Sequence, residues 1–246
     1  MRLPSNPLPR IGILGGMGPM ASADFVVKLV QATPAKSDQE HFTTTLDSTP
    51  QIPDRPSAIE GHGADPLPAM LDVLKHLEAA GCSLLAMPCN TAHYWYQQLS
   101  AGTRLPIVHI ADAAAAWLRE AAPCAKRVGI LGTAVTCRLG IYSARLGNEW
   151  EWVYPGDEEF ARFITPAIVA IKSGDLVTGR ALFLEAVNRM AEKGVDAIVL
   201  ACTEIPLVLK QADVPVPAVD STEALARQTV AVAQAMYKNQ QAASSI

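Results

Sequence analysis

Short apolar or β-branched runs recur along the chain. Ile11–Leu14, Phe42–Leu46, Leu84–Met87 and Ile107–Ile110 fall in the first half; Val128–Leu131, Trp150–Tyr154, Ala197–Leu200 and Val216–Val219 fall in the second. Runs of this length, apolar on consecutive positions, are what strands covered on both faces require. Between them the apolar positions take helical spacing. In Met70–Ala80, for example, Met70, Leu71, Val73, Leu74 and Leu77 share one broad face. Asp157–Lys172, Gly179–Lys193 and Ser221–Lys238 read as further helices. Strand and helix alternate through both halves, which predicts an α/β fold of doubly wound parallel sheets. The polar end, Asn239–Ile246, is expected to lack order.

Compared with itself, the chain repeats. Arg10-Ile-Gly-Ile-Leu-Gly15 returns as Arg127-Val-Gly-Ile-Leu-Gly132, and Ala79–Thr91 returns in pattern as Glu192–Glu204. A glycine stands eight residues before a cysteine in both copies, Gly81 before Cys89 and Gly194 before Cys202. A third echo pairs Leu105–Asp112 with Val214–Asp220. The order is the same each time, so two similar lobes related by pseudo-twofold symmetry are predicted, with the active site in the cleft between them. The third echo closes each copy, which places the crossovers there: residues 1–108 plus 217–246 in the first lobe, 109–216 in the second.

The 246 residues are half hydrophobic and 18% charged, with a net charge of −4, so general disorder is excluded. That charge offers no footing for nucleic acid or an anionic membrane surface. No run approaches the ~20 apolar residues of a membrane span, and no secretory signal is read at the start. Five cysteines leave one over from any disulfide set, so reduced thiols and a cytoplasmic setting are expected.

Gly16-Met-Gly18-Pro-Met-Ala21 fits the glycine pattern of a dinucleotide-binding turn, but the acidic residue expected ~20 positions on is missing; position 36 is Lys. The second copy keeps the strand and drops the extra glycines, continuing Thr133-Ala-Val-Thr136. These glycines are therefore expected to bring backbone N–H groups close to something small at a helix start.

Cys89 and Cys202 each follow an apolar run and precede a polar pair, Asn90-Thr91 and Thr203-Glu204. Ligands collect at such carboxyl ends, and a helix N-terminus lowers a thiol pKa. Facing lobes would bring the two thiols to opposite sides of one carbon. One thiolate would remove a proton and the opposing thiol return another, a racemisation that needs no cofactor.

Taken together, Gly12–Pro19 (GILGGMGP), Ser48–Arg55 (STPQIPDR), Met87–Tyr96 (MPCNTAHYWY) and Leu200–Leu207 (LACTEIPL) resemble the cofactor-independent aspartate/glutamate racemase superfamily, nearest its aspartate racemases. The resemblance spans almost the whole chain. It implies two catalytic bases, Cys89 and Cys202, with Asn90, Thr91 and Thr203 around the substrate's α-carboxylate and amine. It implies that Arg55 grips the side-chain carboxylate and that Lys172, thirty residues before Cys202, assists. Gln51, Met17, Thr133, Thr136 and Glu204 follow as further substrate contacts. Glu204 stands where glutamate racemases carry His, which favours aspartate. The resemblance further implies no cofactor, no metal and a homodimer acting on a small acidic amino acid, aspartate or glutamate.

Cys82 is read as core, Cys124 as an exposed loop residue, and Cys137 as structural although it neighbours Thr136, since its repeat position in the first copy is not a cysteine. His93, four residues after Cys89, is read as structural, and Pro50–Pro68 as a surface loop and candidate lid. Three alternatives stay open: glutamate or broader specificity on the same scaffold, a metal or redox protein using Cys89, His93, Cys202 and Glu204, and a ligand-binding module without catalysis.

Overall fold

The computed structural model describes residues 8–243. Eight strands run in chain order: β1 (Ile11–Gly15), β2 (Thr44–Ser48), β3 (Leu84–Ala86), β4 (Ile107–Val108), β5 (Arg127–Gly132), β6 (Glu151–Val153), β7 (Ala197–Ala201) and β8 (Ala218–Asp220). The helices of the first half are α1 (Pro19–Ala32), α2 (Arg55–Ile59), α3 (Leu67–Ala79), α4 (Tyr96–Ala101) and α5 (Ile110–Ala121). They are followed by α6 (Ala134–Arg138), α7 (Ile141–Leu146), α8 (Asp157–Glu159), α9 (Thr165–Lys172), α10 (Leu176–Glu192), α11 (Ile205–Val208) and α12 (Ser221–Ala243).

The strands form two parallel four-stranded sheets of one design, ordered β2-β1-β3-β4 and β6-β5-β7-β8. Each starts with a central strand, steps to one edge, returns past it and ends on the other edge. In the first sheet Ile11 and Ile13 of β1 pack with Phe25 and Leu29 of α1 and with Leu225 and Val230 of α12. Leu14 belongs instead to a cluster with Met70, Val73, Leu74 and Leu77 of α3. The period-2 geometry of a strand thus sends alternate side chains into two separate layers. The second sheet packs Val128 and Ile130 with Phe183, Val187 and Met190 of α10 and with Ala111, Ala114 and Leu118 of α5.

Most elements fall where periodicity places them, and four differ. The expected loop Pro50–Pro68 contains α2 and ends in the first turn of α3, with Asp54 capping α2 where only loop was read. Ala218–Asp220 pairs with β7, so this strand lies in the second sheet although it fell within the span 217–246 given to the first lobe. The region predicted as one helix, 157–172, is wound as a wide turn over Phe160–Ile164 between α8 and α9. Pro166 has no N–H to bond the carbonyl four residues back, which removes a bond that would tighten that turn. The last helix continues through Ala243, so 239–243 is ordered helix where a polar tail was expected; 244–246 lie outside the described residues. Thr229 of this helix returns its hydroxyl to the Leu225 carbonyl, 2.6 Å away.

Candidate active site

Equivalent strand ends of the two sheets converge on one small cavity of about 30 Å3. Met17 follows β1 and Thr133 follows β5, its counterpart. Cys89, Asn90 and Thr91 follow β3, while Cys202, Thr203 and Glu204 follow β7. Arg55 enters from α2, beyond β2, and Lys172 from α9, beyond β6. Carboxyl ends of parallel strands are where an open α/β sheet exposes groups to a ligand, and here two sheets share one such crevice.

The glycine turn after β1 serves chain packing, and its Gly16 and Gly18 also line a second, larger chamber of about 780 Å3. Gly16 has a φ of +90°, and a Cβ there would lie 2.4 Å from the Thr49 backbone. Its N–H is capped by the Ser22 hydroxyl at 2.9 Å, so it is not free for an anion. Only a residue without a side chain lets the loop after β2 lie this close, and that loop carries Arg55. Gly18 and Pro19 then open α1.

Arg55 begins α2, capped by Asp54, whose carboxylate accepts from the Ser57 N–H. The guanidinium is buried, and its Nη1 donates to the carbonyls of Ile52 (3.0 Å) and Pro53 (2.9 Å). Its Nε is buried with no partner. A cation so held, with a donor left over, is built to meet a carboxylate. The exposed Lys172 stands at the same boundary, and Arg55, Lys172 and Glu204 also line that larger, outer chamber. Its other walls include Pro19, Met20, Pro50, Ile52, Ile171 and Leu207.

The two thiols differ. Cys202 Sγ donates to Glu204 Oε2 at 3.1 Å, and the Thr203 hydroxyl donates to the same oxygen at 3.2 Å. Burial, reinforced by the Glu204 charge, pushes the Cys202 thiol well above its ordinary pKa. This reverses the expected lowering by a helix N-terminus. The helix that follows, α11, has four residues, too short to supply much dipole against that desolvation. Cys89 is buried too, and its backbone N–H donates to the Met87 carbonyl at 2.8 Å.

Three hydroxyls tie the halves together. Thr91 Oγ1 lies 2.8 Å from Thr136 Oγ1 and 3.3 Å from Thr133 Oγ1, while Thr133 donates to Thr136 at 2.9 Å. Thr136 is thus buried behind the cavity wall and does not line it. Gln51 is exposed and lines neither chamber. Cys137 bonds weakly to the Ile130 carbonyl inside the second core, where burial raises it to about 12. Cys82 lies in the core of the first half, and Cys124 is exposed.

His93 is committed elsewhere. Its Nε2 accepts from the Ile110 N–H at 3.1 Å, so Nδ1 carries the proton and donates to the Cys89 carbonyl at 2.9 Å. Neither nitrogen is left for a metal. Among the described residues no group of three or more His, Cys, Asp or Glu is arranged to hold one. Pro56, Ile168 and Ala201 also line the inner cavity, and no motif pointed to them.

Relatives share this architecture. The Bacillus subtilis protein named broad specificity amino-acid racemase RacX is 28% identical over 227 residues, covering 89% of this chain and 96% of its own. The aspartate racemase of Picrophilus torridus superposes with a TM-score of 0.82 at 32% identity, covering 92% of this chain and 94% of that one. An aspartate racemase homologue from Pyrococcus horikoshii gives 0.72 at 26% identity, covering 92% and 100%. The model describing Asp/Glu/hydantoin racemases matches residues 14–229. With paired strand ends, a thiol on each side and this match along most of its length, the chain belongs to the Asp/Glu/hydantoin racemase family.

Proposed function

We propose that this amino-acid racemase interconverts L- and D-aspartate, with Cys89 and Cys202 as opposing acid and base. The observation that carries the reading is that both thiols line one small cavity together with Arg55, whose Nε is buried without a partner. The substrate's Cα sits between the sulfurs, its side-chain carboxylate meets Arg55 Nε–H, and Lys172 adds positive charge at the mouth. Thr91, Thr133 and Thr203 surround the α-carboxylate and amine, with Asn90 beside them.

In one direction the Cys89 thiolate takes the Cα proton. The C–H bond breaks, an S–H bond forms, and the electron pair moves into the α-carboxyl group as an enediolate. Cys202, held as a thiol by burial, gives its proton to the opposite face and becomes the thiolate. A new C–H bond closes the step. The reverse step starts from that state, the Cys202 thiolate taking the Cα proton and the Cys89 thiol returning one. A Cys202 that begins protonated passes its proton to Glu204 Oε2, already hydrogen-bonded to it, while Cys89 takes one from solvent. Hydrogen bonds aimed at the enediolate supply the stabilisation this chemistry requires.

A second reading, broader specificity, is favoured by the largely apolar walls of the outer chamber, into which longer side chains would extend. The test is incubation of L-aspartate and L-glutamate separately in D2O, following loss of the Cα–H signal. Aspartate is expected to exchange and invert faster than glutamate; exchange with neither removes the substrate assignment. Cys89→Ala and Cys202→Ala should each abolish racemisation with an unchanged circular-dichroism spectrum. Near-full turnover in both directions by either variant defeats the two-thiol scheme.

A further inference from the structure

Asn90 directly follows Cys89, yet most of its hydrogen-bonding capacity is spent inside the protein. Tyr142 Oη, from α7, donates to Asn90 Oδ1 at 2.6 Å. Asn90 Nδ2 donates to Ser221 Oγ at 3.1 Å, and Ser221 Oγ donates to the Leu200 carbonyl at 2.7 Å. Leu200 lies in β7, two residues before Cys202. Tyr142, Asn90, Ser221 and Leu200 are all buried, none above 3% exposed.

The chain of bonds has only one polarity. Ser221 has a single hydroxyl proton and gives it to Leu200, so toward Asn90 it accepts. Burial drives the Tyr142 phenol far above its ordinary pKa, so it stays a donor. The Asn90 amide is therefore fixed in one orientation, with one N–H and one lone pair left over. Satisfied networks at low dielectric are stiff, and this one ties the backbone beside Cys89 to the strand that delivers Cys202.

We propose that the buried chain Tyr142–Asn90–Ser221–Leu200 sets the gap between the two sulfurs, with Tyr142 and Ser221 as positioning residues for inversion. The proposal rests on the two-thiol reading above. Neither residue touches the inner cavity. Both hydroxyls converge on Asn90, and Tyr142 also reaches Ser221 directly, so cutting either bond leaves the thiols chemically intact and shifts one against the other.

The test is Tyr142→Phe and Ser221→Ala, each removing one hydroxyl, assayed for inversion and for deuterium entering the recovered substrate enantiomer in D2O. With the gap set correctly, abstraction by one thiol is followed by delivery from the other. With the gap disturbed, the enediolate lives long enough for the Sγ–H of the abstracting thiol to exchange with D2O. Return to the face it left then delivers deuterium, so exchange without inversion gains. We expect kcat for inversion to fall on the order of 10- to 100-fold. KM should move less than about twofold, and the exchange-to-inversion ratio should rise, because only the transition state feels the gap. Tyr96→Phe, which deletes a hydroxyl bond to the Ile107 carbonyl, is the control for general loosening and should leave the ratio unchanged. Should exchange and inversion fall together in both variants, or neither fall, the proposal is overturned. Failure of the two-thiol reading shows separately, as inversion persisting in Cys202→Ala with this chain intact.

Discussion

His93 gives the sharpest handle on acid stability. It is 4% exposed, clamped between the Cys89 carbonyl and the Ile110 N–H. Burial holds its pKa down at about 4, against 6.5 when unperturbed. His109, whose ring centroid is 4.6 Å away, is held at about 3, first by burial and then by His93 itself. Asp112, which favours the charged rings, is paired to Arg145, which opposes them. An unfolded chain takes up a proton at His93 near pH 6.5, while the native protein refuses it until about pH 4. Between those values the unfolded state binds more protons, so stability falls as pH falls through this window and is flat above it. Held this low, the imidazole contributes roughly 3 kcal/mol in full, of which about 2 kcal/mol is lost by pH 5. Urea unfolding of the wild type and of His93→Gln, near pH 7 and near pH 5, isolates the effect. The stability advantage of the wild type should shrink by about 2 kcal/mol on acidification, because the glutamine does not titrate. Parallel losses in the two proteins would show that the imidazole is not held neutral, and the clamp would have to be abandoned.

Three other outcomes are expected. Glu204→Gln removes both the charge that raises Cys202 and the acceptor of its proton, so the pH at which iodoacetamide alkylates Cys202 should move down; an unchanged or higher value contradicts the assignment. Arg55→Lys loses the forked donor and should lower kcat/KM for aspartate on the order of 10- to 100-fold, as for a charged hydrogen bond of about 1.5–3 kcal/mol; an unaltered value would remove Arg55 from carboxylate recognition. Gly16→Ala drives a Cβ to 2.4 Å from the Thr49 backbone at a φ of +90°, and should cost about 1–3 kcal/mol and several degrees of Tm by calorimetry. A melting temperature matching the wild type would mean the loop bearing Arg55 yields freely.

The repeated strands were legible because buried parallel strands need consecutive apolar residues, and the recurrence of Arg10–Gly15 as Arg127–Gly132 exposed the duplication. Cys89 and Cys202 stood out for the same reason, being equivalent points of two copies. What escaped was long-range. Tyr142 meets Asn90 across 52 residues of sequence and Ser221 meets it across 131, and no local pattern encodes such pairs. The crossover after β8 was misjudged because Val214–Asp220 ends a repeat whichever sheet it joins; hydrogen bonding to β7 decides it. The pKa of Cys202 was misread because a helix start was visible, whereas burial beside Glu204 was not. Gln51 shares a motif with Arg55 but points outward, since neighbours in a loop need not share a face.

The helix that completes the first sheet's layer comes from the far end of the chain. Ile11, Ile13 and Phe25 are closed over by Leu225, Ala226 and Val230. The second sheet, from β5 to β8, is contiguous in sequence. The first sheet's apolar layer is therefore closed by a helix that follows the whole second sheet in sequence, and Ala224 of the same helix also enters the second core, so one element seals both halves. Stripping Leu225 and Val230 from that helix should therefore injure a half of the molecule that lies some two hundred residues upstream.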